Sequence, residues 1–363
     1  MRKLIMGLCL FLTLTLLTAC QNGGMQMYES HFMGPFDTQF EFRAYADSQD
    51  TFDTYAKLVE DAFTHYHELY DQYNTYEGLN NIKTINDAAG DHAVEVDEAI
   101  IDLLEMSIAD YHTYSSKVNV ALGPVLSLWH DARESADPQV PDADSLERAS
   151  QYCDIEQVQI DKEAKTVFLT EAGMSLDVGA VAKGYACELV KNQLVEAGCE
   201  SFLISAGGNV VSYGHRLVEA KPSSLSKVLP ACLNQFTVGV QSPGDGAYAN
   251  ISNTVAIVLD GQSVVTSGDY QRYFTVADGT RYHHLIDPET LYPANYMRSV
   301  TVITEDSGLA DFLSSTLFLM PVDEGQAFVE SLEGVEAVWL CNDGTILYSS
   351  GLVEGENFHL YVS

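Results

Sequence analysis

An α+β (mixed α/β) fold is predicted by three patterns in the sequence. The first is a hairpin: Asp278-Gly279 lies between Tyr273-Phe274-Thr275-Val276 and Arg281-Tyr282-His283-His284-Leu285-Ile286. Two residues that tolerate positive φ there separate runs rich in aromatic and β-branched side chains. The second is Phe202 to Tyr213, FLISAGGNVVSY, with strand-like residues on both sides of Gly207-Gly208. The third is Asp306 to Met320, DSGLADFLSSTLFLM, where Leu309, Phe312, Leu313, Thr316, Leu317 and Met320 make a continuous apolar stripe at helical spacing. Strand order does not follow from these patterns.

Residues 1–19 read as a secretory signal: Arg2 and Lys3, an apolar run from Leu4 to Leu17, then Thr18-Ala19 before Cys20. Small residues before a cysteine resemble a bacterial lipobox. That implies a lipid on Cys20 and a mature chain anchored on the extracytoplasmic face of the cell membrane. Residues 20–30 read as a tether, flexible from Gln21 to Gln26, and residues 31–363 as one domain. No Pro/Ser-rich linker, low-complexity block or solenoid-period repeat divides that domain.

The formal charge is −34, from 18 Lys and Arg against 52 Asp and Glu. Long-range repulsion disfavours nonspecific binding to nucleic acid or anionic lipid and points to neutral, cationic or metal-bridged partners. An anionic ligand needs a local exception made by a cation, a lysine or a helix N-terminus. Cys153, Cys187, Cys199, Cys232 and Cys341 match no zinc or CxxC spacing. They read mainly as small buried hydrophobes, Cys187 on a helix, with room for one disulfide.

Along the chain, Tyr73 to Asn86, YNTYEGLNNIKTIN, sets two tyrosines and several amides before a helix-like run. Tyr76 is suited to stacking on a planar ring or to packing. Gly123-Pro124 in VNVALGPVLSLW joins a strand-like run to a helix or turn carrying Trp129. Met174 to Gly198 reads as a strand ending near Asp177, a tight turn at Gly179 and a helix closed by Gly198. Lys183 lies in that helix's first turn, where it opposes the macrodipole, so an anion over the helix N-terminus suits both. A surface lysine fits the same spacing. Arg216 to Gln235 has the weakest pattern and reads as an insertion or loop.

Beyond the hairpin turn, the two-residue strand period sets Tyr282, His284 and Ile286 on one face and Arg281, His283 and Leu285 on the other. Asp287-Pro288 ends the strand. On the Asp306 to Met320 helix, Asp311 is the single charged residue of the body and shares a face with Ser315, four residues on. A carboxylate and a hydroxyl at that spacing suit Mg²⁺, and a structural salt bridge to Asp311 satisfies the spacing equally.

Taken in order, these segments resemble the ApbE family of flavin-trafficking lipoproteins, the FAD:protein FMN transferases. The resemblance rests on MGPFDT at 33–38, NTYEGLNNIKTIN at 74–86, ALGPVLSLW at 121–129, LDVGAVAKGY at 176–185 and AGGNV at 206–210. It continues through VTSGDYQRYF at 265–274, HHLIDP at 283–288 and SVTVITEDSGLADFLSSTLF at 299–318. It implies a T-fold-like arrangement around a nucleotide cleft. The implied reaction is Mg²⁺-dependent transfer of FMN from FAD to a threonine or serine hydroxyl of an extracytoplasmic acceptor, with release of AMP. Acceptors in this family are often flavoprotein subunits of membrane redox complexes.

Carried over residue by residue, the resemblance puts Mg²⁺ on Asp311, the Ser315 hydroxyl and the Ala180 carbonyl. Flavin nucleotide contacts fall on Met33, Tyr76, Asn119, Val120, Ala121, Asp177, Lys183 and the backbone near Leu285. His284 becomes the base for the acceptor hydroxyl, with an ordinary pKa near 6.5 and Asp287 or Asp269 to orient it. Ser315 stands where the family usually has threonine, and Thr316, rotated by about 100°, falls on the apolar stripe. Tyr76 keeps the aromatic associated with transfer; relatives lacking it hydrolyse FAD instead. A Mg²⁺-dependent FAD pyrophosphatase, a non-catalytic flavin-binding lipoprotein and a solute-binding lipoprotein remain the rival readings.

Overall fold

The computed structural model describes residues 24–249 and 251–361. The chain opens with β1 (Gln26–Met33) and β2 (Gln39–Ala46), so strand begins inside the 20–30 stretch expected as tether. There follow α1 (Gln49–Tyr70), α2 (Ile82–Asp87), β3 (Val94–Glu95), α3 (Glu98–Thr113), α4 (Gly123–Glu134), α5 (Ala143–Ser150), β4 (Val158–Asp161) and β5 (Thr166–Leu169). The middle holds α6 (Ala182–Glu196), β6 (Phe202–Ala206), β7 (Asn209–Tyr213), β8 (Phe236–Gln241), β9 (Asn253–Leu259) and β10 (Ser263–Gly268). The chain closes with β11 (Tyr273–Thr275), β12 (Arg281–His283), β13 (Ser299–Thr304), α7 (Ser307–Phe318), α8 (Val322–Val329), β14 (Glu336–Leu340), β15 (Ile346–Tyr348) and β16 (Phe358–Leu360).

Eight strands form an antiparallel sheet in the order β1-β2-β6-β7-β10-β13-β14-β15. The two-residue strand period divides their side chains between two cores. Phe40, Phe42, Ile204, Val265, Val300 and Val302 face α1, α3, α6 and α7. Leu203, Val210, Val264, Ile303 and Val338 face the other way, against Phe236, Val240, Val255 and Ile257 of a smaller sheet ordered β16-β9-β8. The result is a three-layer block of helices, large sheet and small sheet.

Because β7 pairs directly with β10, residues 214–262 are an excursion from the main sheet. The weakly patterned Arg216 to Gln235 stretch contains two short 3-10 turns, Leu225–Lys227 and Pro230–Leu233. Leu229 is fully buried against Ala256 and Val258 of β9.

Three local expectations are corrected. Met174 to Val178 forms no strand. Leu176 instead exchanges both backbone groups with the Asn86 amide, at 2.7 and 3.0 Å, and Asp177 N–H donates to the Val120 carbonyl at 2.8 Å. The run before Gly123 is turn, not strand. The β11–β12 hairpin exists with Thr275 opposite Arg281, but its turn centres on Ala277-Asp278. Gly279 N–H closes on the Val276 carbonyl at 2.9 Å, and only Gly279 takes positive φ, at 89°. This is a longer bulged loop, in which one glycine supplies the left-handed position.

All five cysteines in the described residues are free, so the disulfide allowed by the sequence does not form among them. Cys20 lies outside the described residues. No described helix is long and apolar enough to cross a membrane.

Candidate active site

Helices α6 and α7 meet at Gly184. A side chain there would place its Cβ 2.3 Å from the Ser307 carbonyl oxygen and 2.4 Å from the Asp311 Cβ, so only glycine permits the contact. The closeness lets Asp311 reach the first turn of α6, where its Oδ2 accepts the Gly184 N–H at 2.7 Å. In an unbroken helix that N–H would close on the Ala180 carbonyl. Here the helix begins at Ala182, and the Ala180 carbonyl takes no hydrogen bond among the described residues.

The arrangement caps α6, which has no side-chain N-cap of its own, and leaves the Ala180 carbonyl free just before the helix that Asp311 contacts. No lysine, arginine or histidine nitrogen lies within 4.0 Å of the Asp311 carboxylate among the described residues, so a structural salt bridge does not account for it. Burial raises its pKa, opposed by Lys183 and the Gly184 N–H. One turn on, Ser315 is buried with its Oγ 3.4 Å from Ser267 Oγ of β10, which also meets Ser314 Oγ at 2.8 Å. Thr316 Oγ1 is buried without a partner, on the apolar side of α7. A buried carboxylate without a directly paired cation, a free carbonyl and a hydroxyl one turn along the helix are hard oxygen donors that fit a divalent cation.

Lys183 Nζ points to the Gly207 carbonyl at 3.5 Å. Desolvation lowers its pKa, Asp311 opposes that, and Arg272 adds to it. Arg272, which the sequence did not single out, thus adds its charge to the field around Lys183. It also organises His284: its carbonyl accepts both the backbone N–H of His284, at 3.1 Å, and the ring Nδ1, at 3.2 Å. A carbonyl only accepts, so Nδ1 carries the proton and Nε2 of the neutral ring is the free base.

Burial, then the charges of Arg272, His283 and Arg133, push the His284 pKa down to about 3. The expected ordinary value is therefore corrected. So are its expected orienting groups: Asp287 pairs with Lys117 at 3.0 Å and Asp269 with Arg298 at 2.8 Å. His283 is fully committed, donating from Nε2 to the Ala294 carbonyl at 2.6 Å and accepting the Leu285 N–H at Nδ1. The strand alternation holds around them: Tyr282 and Ile286 pack against Trp129, while Leu285 joins the main core and His283 stands edge-on to Phe318.

A second group of expected residues is wired together by side chains the sequence left unmarked. Asp71, buried at the end of α1, accepts the Tyr76 hydroxyl at 2.8 Å, the Tyr73 and Asn74 N–H groups and the Asn74 amide. Desolvation, then Asp71, pushes the Tyr76 pKa up to about 12. Gln72 donates to Asp177 at 2.8 Å, and Asp177 also accepts the Gly179 N–H at 2.8 Å.

Asn119 caps the Ala121 N–H at 2.8 Å, next to the Val120 carbonyl that binds Asp177. Leu285 spends its N–H on His283, while its carbonyl accepts the Ala294 N–H. Met33 stands at the rim, 76% exposed, beside the left-handed Phe36 turn whose carbonyl meets Arg272 at 3.5 Å.

Lys183 at the start of one helix, an oxygen-donor set at the contact with another and a histidine with its Nε2 free are groups that can serve group transfer on an anionic substrate. The ApbE family profile matches residues 36–339, and the chain belongs to that family. It is 34% identical over 270 residues to a Klebsiella pneumoniae protein named FAD:protein FMN transferase, covering 74% of this chain and 77% of the relative. A Treponema pallidum protein of the same name is 32% identical, covering 75% and 74%. The solved ApbE protein of Thermotoga maritima superposes with a TM-score of 0.75 at 27% identity, covering 90% of this chain and 98% of its own. The apo flavinyl transferase ApbE of Pseudomonas stutzeri, at 21% identity and a TM-score of 0.71, shares the fold.

Proposed function

We propose that the protein transfers FMN from FAD to a serine or threonine hydroxyl of an extracytoplasmic acceptor, in a Mg²⁺-dependent reaction that releases AMP. The observation that carries this reading is the α6–α7 contact: Asp311, buried, takes the Gly184 N–H, and the Ala180 carbonyl that this N–H would meet in an unbroken helix is left free. Asp311, Ser315 and Ala180 hold Mg²⁺ in this reading. The ion supplies charge neutralisation on the FAD pyrophosphate.

The chain's own groups do the rest. Lys183 and Arg272 provide the local positive field that an anionic substrate needs against a formal charge of −34. Met33, Tyr76, Asn119, Val120, Ala121, Asp177 and the backbone near Leu285 orient the flavin nucleotide. The acceptor oxygen bonds to the phosphorus of the FMN half, the bond from that phosphorus to the bridging oxygen breaks, and AMP departs with that oxygen. His284 Nε2 takes the hydroxyl proton. Anionic phosphates beside the ring oppose the burial and positive charges that depress its pKa and raise it towards a useful value.

Cys20 carries a lipid in this reading and holds the enzyme at the outer face of the membrane, where acceptor subunits of redox complexes are accessible. Nucleotide chromatography tests the activity. Transfer releases AMP from FAD only when both Mg²⁺ and an acceptor are present. FMN and AMP formed together without an acceptor would establish a pyrophosphatase instead.

A further inference from the structure

A cleft of about 380 Å³ lies on the face of the main sheet opposite α7. Its lining shows how it is built. From the main sheet come every second residue: Gln39 and Glu41, and Val264, Thr266 and Gly268. That periodicity marks the face of a sheet. From β8 come four consecutive residues, 238 to 241, which marks a strand edge.

That edge is open, since β8 ends the small sheet and pairs only with β9. On β9, Val258 N–H and the Thr254 carbonyl bond towards the β16 side. By alternation, Val255 and Ile257 bond to Val240 and Val238. The backbone groups of Thr237 and Gly239 therefore point outward, and neither has a partner among the described residues.

Two residues of the cleft lining are tied to the proposed catalytic groups. Gly207 lines it and offers its carbonyl to Lys183. Gln271 lines it and precedes Arg272, whose carbonyl fixes His284. We propose that an extended segment of the acceptor polypeptide lies in this cleft as an added strand on β8, pairing with Gly239 and Thr237 and delivering its hydroxyl towards His284. The proposal rests on the transferase reading. A polypeptide suits the site because an extended chain alternates donors and acceptors as the open edge does.

Gly239→Pro tests it. Proline deletes the outward N–H without removing a β8–β9 bond, and an edge strand tolerates it. Gly239→Ala keeps the N–H and serves as the control. The probe is an apo acceptor domain, with one modified threonine, that the wild-type enzyme flavinylates. The expected result for Gly239→Pro is a rise of tenfold or more in the acceptor KM, with FAD affinity unchanged and Gly239→Ala close to wild type. Hydrogen exchange on the wild-type enzyme provides the second measurement, with acceptor-induced protection of the Gly239 and Thr237 amides expected.

An unchanged acceptor KM in a folded Gly239→Pro protein, or no protection of those amides, overturns the proposal. So does a loss of FAD affinity, which would assign the cleft to the nucleotide, or conversion of a wild-type dimer to a monomer with the acceptor KM intact. Absence of transfer by the wild type would instead refute the underlying transferase reading.

Discussion

Asp311→Asn isolates the charge at the α6–α7 contact. Asparagine keeps an oxygen for the Gly184 N–H and nearly the same volume, so the packing between the helices survives. Burial raises the Asp311 pKa above its ordinary 3.8. A group whose pKa is raised on folding favours the folded state fully below its unfolded pKa, and that contribution is lost as pH climbs through the folded value. Each pH unit in that window costs about 1.4 kcal/mol.

In EDTA the wild type should therefore lose stability relative to Asp311→Asn as pH rises above about 4, until the raised pKa is passed. Asp110, half-buried and pushed up to about 6 by desolvation and then by the charge of Asp306, titrates in the same region. It is present in both proteins, so the difference between their urea-unfolding curves is the readout. Mg²⁺ at about a hundredfold excess over its Kd should then stabilise the wild type by about 2.7 kcal/mol and the variant far less. Transfer activity should fall by about 10²- to 10³-fold, the scale of losing one preorganised electrostatic contact. Wild-type activity across a magnesium titration, with the same Mg²⁺-induced stabilisation, would refute the metal assignment.

His284→Ala should lower FMN transfer by about 10²- to 10⁴-fold while FAD binding, followed by flavin fluorescence, stays near wild type; undiminished transfer eliminates it as the base. Gly184→Ala forces a Cβ onto the Ser307 carbonyl and the Asp311 Cβ at 2.3 and 2.4 Å. It should destabilise the fold by about 1–3 kcal/mol in urea unfolding and weaken the Mg²⁺ response. Asp71→Asn removes a charged acceptor from the Tyr76 hydroxyl, so ultraviolet titration should find the phenol shifted down from about 12 towards the ordinary tyrosine value. An unmoved titration would show that Asp71 does not hold that ring.

What the sequence disclosed, and what it withheld, follows from the range of the interactions involved. The helix signalled from Leu309 and the alternation at Tyr282 to Ile286 are local periodicities. The helix forms as α7 but ends at Phe318, short of Met320, and is buried on nearly every side, while the alternation outlasts β12, which ends at His283 and not at Pro288. The turn was misplaced by one residue because Asp278-Gly279 suits either a two-residue turn or a bulged one. Met174 to Val178 looked like a strand because its extended backbone is satisfied by Asn86 and the Val120 carbonyl, partners far away in the chain.

The spacing of Asp311 and Ser315 was visible, whereas the freeing of the Ala180 carbonyl depends on a tertiary contact through Gly184. Arg272 acts on His284 through its backbone carbonyl, a role that residue type does not encode. Asp71 and Gln72 adjoin a motif that was noticed, and their roles appear only once the side chains converge.

The central claim, transfer of FMN to a protein hydroxyl, is tested most directly by the intact mass of an acceptor incubated with this protein, FAD and Mg²⁺. The account predicts an acceptor heavier by one FMN, on a single serine or threonine, and no gain when EDTA replaces Mg²⁺. An acceptor of unchanged mass, while FAD is split to FMN and AMP or remains whole, would contradict it.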